Sequence, residues 1–196
     1  MSGLKLIVMA LVGTSLFVPS ASASSLPSGT QPQLTVKLLN ANGSGCRRHA
    51  GTRLPVDAHV LPSGTITVRY RDFSVSGNDY KSCVLFASVA TPAGWTYQIP
   101  AVDNQATVTL DATETATLST AMWFTGLKWT VRDTEKVVGP QTGAWNTSAV
   151  PHPAAWAPCG TSVNVSVAET MRVTGSPASN ASLVATTFGP PKWRRC

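Results

Sequence analysis

The stretch SVNVSVAETMRV, residues 162–173, decides how the chain is read. Val163, Val165, Val167, Met171 and Val173 recur at every second position, with Asn164, Ser166, Thr170 and Arg172 between them. A period of two is the mark of a strand with one buried face, because successive side chains point to opposite sides of a sheet. Glu169 interrupts the pattern, since it shares the phase of the valines. A carboxylate in an apolar row is costly unless it is paired or hydrogen-bonded. Three readings stay open. A bulge turns it outward, an arginine such as Arg69 or Arg71 pairs with it internally, or it is a functional carboxylate.

The same period recurs on both sides of this segment. Leu34, Val36 and Leu38 alternate with Thr35 and Lys37, and Ala116, Leu118, Met122 and Phe124 share a face opposite Thr115, Thr117 and Ser119. TITVRYRDFSV (65–75) changes phase between Tyr70 and Phe73, which predicts a bulge near Arg71-Asp72. CVLFASVA (83–90) is apolar almost throughout and predicts a central strand covered on both faces. Further strands are expected over 56–61, 95–99, 106–110, 128–138 and 181–188, with turns at Pro62-Ser63-Gly64, Gly77-Asn78-Asp79, Pro92-Ala93-Gly94 and Thr125-Gly126. Residues 139–160, rich in proline and tryptophan without a period, are expected to form a long ordered loop. Roughly eight to ten short strands with regular turns and no helical pattern predict an all-β antiparallel sandwich, jelly-roll or Ig-like, with a β-barrel as the alternative.

The first 23 residues have a separate meaning. Lys5 precedes the apolar run Leu6–Val18, and Ala21-Ser22-Ala23 follows it. That run is shorter than the roughly 20 residues a bilayer span needs. It reads as a signal peptide over 1–23, followed by a flexible linker over 24–32 and one domain over 33–196. No later stretch is apolar enough to cross a membrane. The expected location is extracellular.

Export frames the cysteines. Cys46, Cys83, Cys159 and Cys196 all lie in the mature part, and an even number in an exported chain reads as two disulfides. Cys46-Arg47-Arg48-His49 lacks the second ligand pair of a tetrahedral metal site, and no cofactor motif is present. The chain carries a formal charge of +6, or +5 without Lys5. Its basic clusters at Arg47-Arg48, Arg69/Arg71 and Lys192/Arg194/Arg195 suit solubility or an anionic surface. Nucleic acid is a poor candidate in an exported chain with no recognised motif.

The order of short motifs carries a resemblance. Gly43-Ser44-Gly45-Cys46, Lys81-Ser82-Cys83, Pro92-Ala93-Gly94-Trp95, Pro158-Cys159-Gly160 and Trp193-Arg194-Arg195-Cys196 follow one another over nearly the whole mature chain. This set resembles the secreted family filed as domain of unknown function 4360, found in filamentous bacteria and fungi. Ser82 departs from the asparagine usual before the second cysteine. The resemblance implies export and a cysteine-stapled β domain, and it implies no activity. Four cysteines allow three pairings. Loop-closure cost favours Cys46–Cys83 with Cys159–Cys196, which close loops of equal span.

No nucleophile elbow, phosphate loop or zinc-protease helix is present, so no catalytic residue is assigned. The aromatic residues Trp95, Tyr97, Trp145 and Trp156 are the candidates for ligand binding, as rings that stack on sugars. The expected function is a non-catalytic binding module for an extracellular polysaccharide or cell-wall material. The alternatives are a secreted hydrolase whose carboxylates converge only in the fold, and a protein-binding or inhibitor module displaying the 139–160 segment.

Overall fold

A computed structural model describes residues 32–47, 54–127, 131–152, 154–160 and 162–196. The expected signal peptide and most of the expected linker, together with Arg48 and His49, lie outside the described residues. In chain order the strands are β1 (Thr35–Asn42), β2 (Val56–Val60), β3 (Ile66–Tyr70), β4 (Ser74–Ser76), β5 (Asp79–Ala90), β6 (Trp95–Gln98) and β7 (Val102–Leu110). They continue as β8 (Thr115–Phe124), β9 (Val131–Val138), β10 (Gln141–Ala149), β11 (Ser162–Thr174), β12 (Asn180–Phe188) and β13 (Lys192–Arg195). No helix occurs among the described residues.

Two antiparallel sheets stack face to face and do not close into a barrel. The first has the order β1-β5-β11-β8-β9 and the second β10-β7-β12-β3-β2, with β4 paired to β12. β6 and β13 form a separate ribbon. The alternation in the sequence becomes burial directly. Val165, Val167, Met171 and Val173 on β11, and Leu118, Met122 and Phe124 on β8, point inward against Val108, Leu183 and Phe188 of the other sheet. Removing such side chains from water is the main favourable term of folding, at about 1.5–3 kcal/mol each.

Three sequence expectations change in detail. The phase change at Arg71-Asp72 takes the form of a break. β3 and β4 are separate strands, and both Tyr70 and Phe73 face the core with their rings 5.5 Å apart. The 139–160 segment is not a loop throughout, because Gln141–Ala149 pairs along the whole of β7. It lacked a visible period because only Trp145 and Ala149 of this edge strand are buried. β5 is central, as expected, but it is not covered on both faces. Cys83, Leu85 and Val89 point into the core, whereas Phe86 on the other side is 37% exposed.

Both disulfides have the expected pairing. Cys46–Cys83 ties the turn after β1 to β5, and Cys159–Cys196 ties the chain end to the segment before β11. The first staple needs its glycines. Gly43 has φ +133°, a region that L side chains rarely adopt, and an added Cβ there would meet the Ser82 carbonyl. At Gly45 it would meet the Phe73 ring at 2.5–2.8 Å.

Candidate functional site

The four aromatic candidates fall into two places. Trp145, on β10, is 8% exposed and packs into the core. Trp95 and Tyr97 lie on β6, and Trp156 lies in the segment that covers it. The register sets Trp193 opposite Tyr97 and Arg195 opposite Trp95. Tyr97 is 1% exposed, edge-on to Phe124 at 5.7 Å and tilted against Trp193 at 6.1 Å. Arg195 lies 4.1 Å over the Trp95 ring and Arg194 lies 4.3 Å over Trp156. These cation–π contacts, with the Cys159–Cys196 bridge, close one end of the sandwich. The structure therefore brings Trp95, Tyr97 and Trp156 to one ribbon, where burial or a guanidinium already occupies their rings. Trp145 is not part of that group.

Glu169 is fully buried between the sheets. No bulge turns it outward: β11 keeps one register against β5 from Ser162 to Val173 and against β8 from Val165 to Thr174. No arginine pairs with it either, since Arg71 is bound to the exposed Asp57 at 2.8 Å, and Arg69 stands opposite Asp57 and Ala185 on the second sheet. Its partners are hydroxyls. Thr120 Oγ1 donates to Glu169 Oε2 at 2.7 Å, and Asn104 Nδ2 donates to Thr120 Oγ1 at 2.7 Å. Thr186 Oγ1 donates to Asn104 Oδ1 at 2.7 Å and stands 3.5 Å from Glu169 Oε1. The Tyr70 hydroxyl is 3.2 Å from Thr186 Oγ1.

Burial raises the Glu169 carboxyl from its ordinary 4.5 to about 8, against the two threonine contacts that lower it. The carboxyl is then mostly protonated at neutral pH. In that form Oε1–H donates to Thr186, which donates to Asn104, which donates to Thr120, which donates back to Oε2. Each member gives and receives a proton, so the ring closes without an unpaired buried atom. It joins β11 and β8 of one sheet to β7 and β12 of the other. Burial also pushes up the Tyr70 hydroxyl, with the nearby Glu169 as the second cause. This carboxyl holds the sheets together and lies out of a polymer's reach.

The outer face of the first sheet carries a row of aromatic and polar side chains. Its register aligns Asn40 with Phe86, Phe86 with Ser166 and Ser166 with Trp123 in one row across four strands. Phe86 is exposed and Trp123 half-buried, and Ser166 between them is buried although it points outward. The two rings lie two strands apart, roughly 10 Å. With Asn164 and Leu127 they line an open groove of about 420 Å³, within the size range of small-ligand sites. The outer face of the second sheet also has a hollow, of about 360 Å³, lined by His59, Leu61, Thr67 and Arg69, but it carries no aromatic ring other than the imidazole. Its outward residues, such as Asp103, Gln105, Thr107, Thr187, Arg69 and Asp57, include no Phe, Tyr or Trp.

Two other hollows have different characters. An apolar cavity of about 40 Å³ lies between the sheets, lined by Leu85, Val68, Tyr97 and other core side chains. It is too small for a sugar. A polar hollow of about 450 Å³ beside the Cys46–Cys83 staple carries Arg47, Asp72, Asp79, Tyr80 and Lys81. Among the described residues no group of three or more His, Cys, Asp or Glu is placed to hold a metal ion, and no helix is long and apolar enough to cross a membrane.

No curated protein matches this chain. Among solved structures it is similar to TmCBM61 in complex with β-1,4-galactotriose, at 12% identity and a TM-score of 0.33, covering 80% of this chain and 88% of that one. It is also similar to a family 11 carbohydrate-binding module from Clostridium thermocellum in complex with a β-1,3-1,4-mixed-linked tetrasaccharide, at 9% identity and a TM-score of 0.25, with the same coverage. The family model described as domain of unknown function (DUF4360) matches residues 32–196, which is the whole cysteine-stapled sandwich, and the chain belongs to that family.

Proposed function

We propose that the protein is an exported, non-catalytic module that binds extracellular polysaccharide on the outer face of its first sheet. The observation that carries this reading is the row Asn40–Phe86–Ser166–Trp123. An aromatic ring stacks on the apolar C–H face of a sugar, while neighbouring amides and hydroxyls take the sugar hydroxyls. The row supplies two rings with a serine between them, and Asn164 beside them. Core side chains are fixed by packing, but Phe86 lies on the solvent side of a central strand and leaves over a third of its surface, 37%, open to a ligand. The two disulfides suit life outside the cell.

The test is depletion of the mature protein from solution by insoluble chitin, cellulose and bacterial or fungal cell-wall material at high salt. Retention is expected on at least one of them. Trp123→Ala and Phe86→Ala should each weaken it at least tenfold, the scale of about 1.4 kcal/mol for an aromatic anchor. Trp156→Ala should leave it unchanged. Retention by the Phe86→Ala/Trp123→Ala double variant at the wild-type level would overturn the reading.

A further inference from the structure

The cations of the described strands are distributed unevenly between the two outer faces, and the strand register shows how. The outward positions of the first sheet include Lys37 on β1, Arg172 on β11, and Arg132 and Lys136 on β9. All four are exposed. None of the outward positions of these five strands is acidic. Asp133 and Glu135, between the two cations of β9, fall in the opposite phase, across from Thr120 and Leu118. Glu135 is itself exposed, but among the described residues the ion pair formed is Arg71–Asp57, on the other sheet, and none of the four cations is bridged to a described carboxylate.

Three of the cations form a patch that continues from the aromatic row. Arg132 is opposite Ala121, one outward row from Trp123 on the neighbouring strand. Such diagonal neighbours lie roughly 7–8 Å apart. Lys136 is two outward rows further along β9, and Arg172 stands across Thr117 from it, roughly 10 Å away over two strands. The residues between are small: Ala121, Ala168, Ser119, Thr170 and Thr134. They form a low strip that starts at Trp123 and ends between two cations, with room for an extended chain along β8.

Resting on the reading of this face as a glycan platform, we infer that its ligand is an anionic polysaccharide, one bearing carboxylate or phosphate groups at intervals along the chain. Trp123 and Phe86 stack on a sugar, while Arg132, Lys136 and Arg172 meet the charges that follow it. A planar guanidinium pairs with carboxylate and phosphate alike, so the two sources of charge are separated by the probes used.

The experiment measures affinity of the mature protein for polygalacturonate (carboxylate), a wall teichoic acid (phosphate), a neutral β-glucan and poly-glutamate (charge without sugar), each at two salt concentrations. Tighter binding to one of the two acidic glycans than to the neutral glucan and poly-glutamate is expected, and which one binds identifies the charge. The variant Arg132→Gln/Lys136→Gln/Arg172→Gln, altered only at exposed positions, should weaken that binding roughly a hundredfold and reduce its salt dependence. Lys192→Gln/Arg194→Gln, on the β6–β13 ribbon and outside this sheet, should not. Equal binding of neutral and acidic glycans, unchanged in the triple variant, overturns this inference and leaves the platform standing. Poly-glutamate binding as tight as the acidic glycan means simple ion exchange and overturns it too. Binding to no glycan removes both.

Discussion

Glu169 Oε1 on one sheet and Thr186 Oγ1 on the other stand 3.5 Å apart in the middle of the sandwich, the closing link of a ring that also includes Asn104 and Thr120. The link needs the proton on Glu169. The folded pKa, about 8, lies above the ordinary 4.5. The folded state therefore binds more protons than the unfolded one between these values. The stability this confers is fully present below about 4.5 and is lost as pH rises through about 8. Urea unfolding from pH 5 to pH 9 should show a midpoint that falls with pH, and Glu169→Gln should flatten the curve. A wild-type midpoint that is level or rises would show that the carboxylate is not held as an acid.

Thr120 both receives from Asn104 and donates to Glu169. Thr120→Val keeps the shape and removes both bonds, leaving two buried polar groups short of a partner. A loss of about 2–4 kcal/mol is expected, from roughly 1–3 kcal/mol for each such group. A loss below about 0.5 kcal/mol, measured by denaturant unfolding, would mean that the ring contributes little.

Glu114 behaves oppositely. Its carboxylate accepts from the Ser176 and Asp111 backbone N–H groups at 2.6 and 2.7 Å, and these bonds lower its pKa from 4.5 to about 2. The resulting stability is present above about 4.5 and is lost as pH falls through about 2. Glu114→Gln should remove this part of the acid transition. If wild type and variant lose stability in parallel between pH 5 and pH 2, the two turns do not depend on that charge.

Each disulfide spans 37 positions. Breaking either by Cys→Ser pairs should cost about 3–4 kcal/mol, chiefly by freeing the unfolded chain. Gly45→Ala should be as damaging as loss of the first bridge, because its Cβ would enter the Phe73 ring. Thermal unfolding of the three variants compares them, and a Gly45→Ala protein with the wild-type midpoint would show that the turn relaxes.

Much of this was legible in the chain. Period-two alternation located β1, β8 and β11, and loop-closure cost favoured the cysteine pairing that the fold adopts. The polar ring could also have been anticipated, because Asn104, Thr120 and Glu169 each sit in an apolar phase of their own strand. Such residues satisfy one another beside each other in a sheet, as Thr120 and Glu169 do, and across the core, as Asn104 and Thr120 do. β10 was not legible, because an edge strand that buries only Trp145 and Ala149 leaves no period. The outer face was hidden for a different reason. Lys37, Arg132, Lys136 and Arg172 are scattered along the sequence, as are Phe86 and Trp123, and only strand order and register bring them to one surface. The clusters visible in the sequence lie elsewhere: Arg71 pairs with Asp57 and the C-terminal arginines cover tryptophans.

Backbone amide NMR shifts of the isotopically labelled protein, followed during titration with a glycan that retains it, locate the binding face. The expected changes centre on Phe86, Ser166, Trp123, Ala121 and Arg132. Gln105 and Thr187 on the opposite face, and the β6–β13 ribbon, should stay still. Changes centred instead on Trp95, Trp156 and Arg195, or on the second sheet, would contradict the assignment of binding to the outer face of the first sheet.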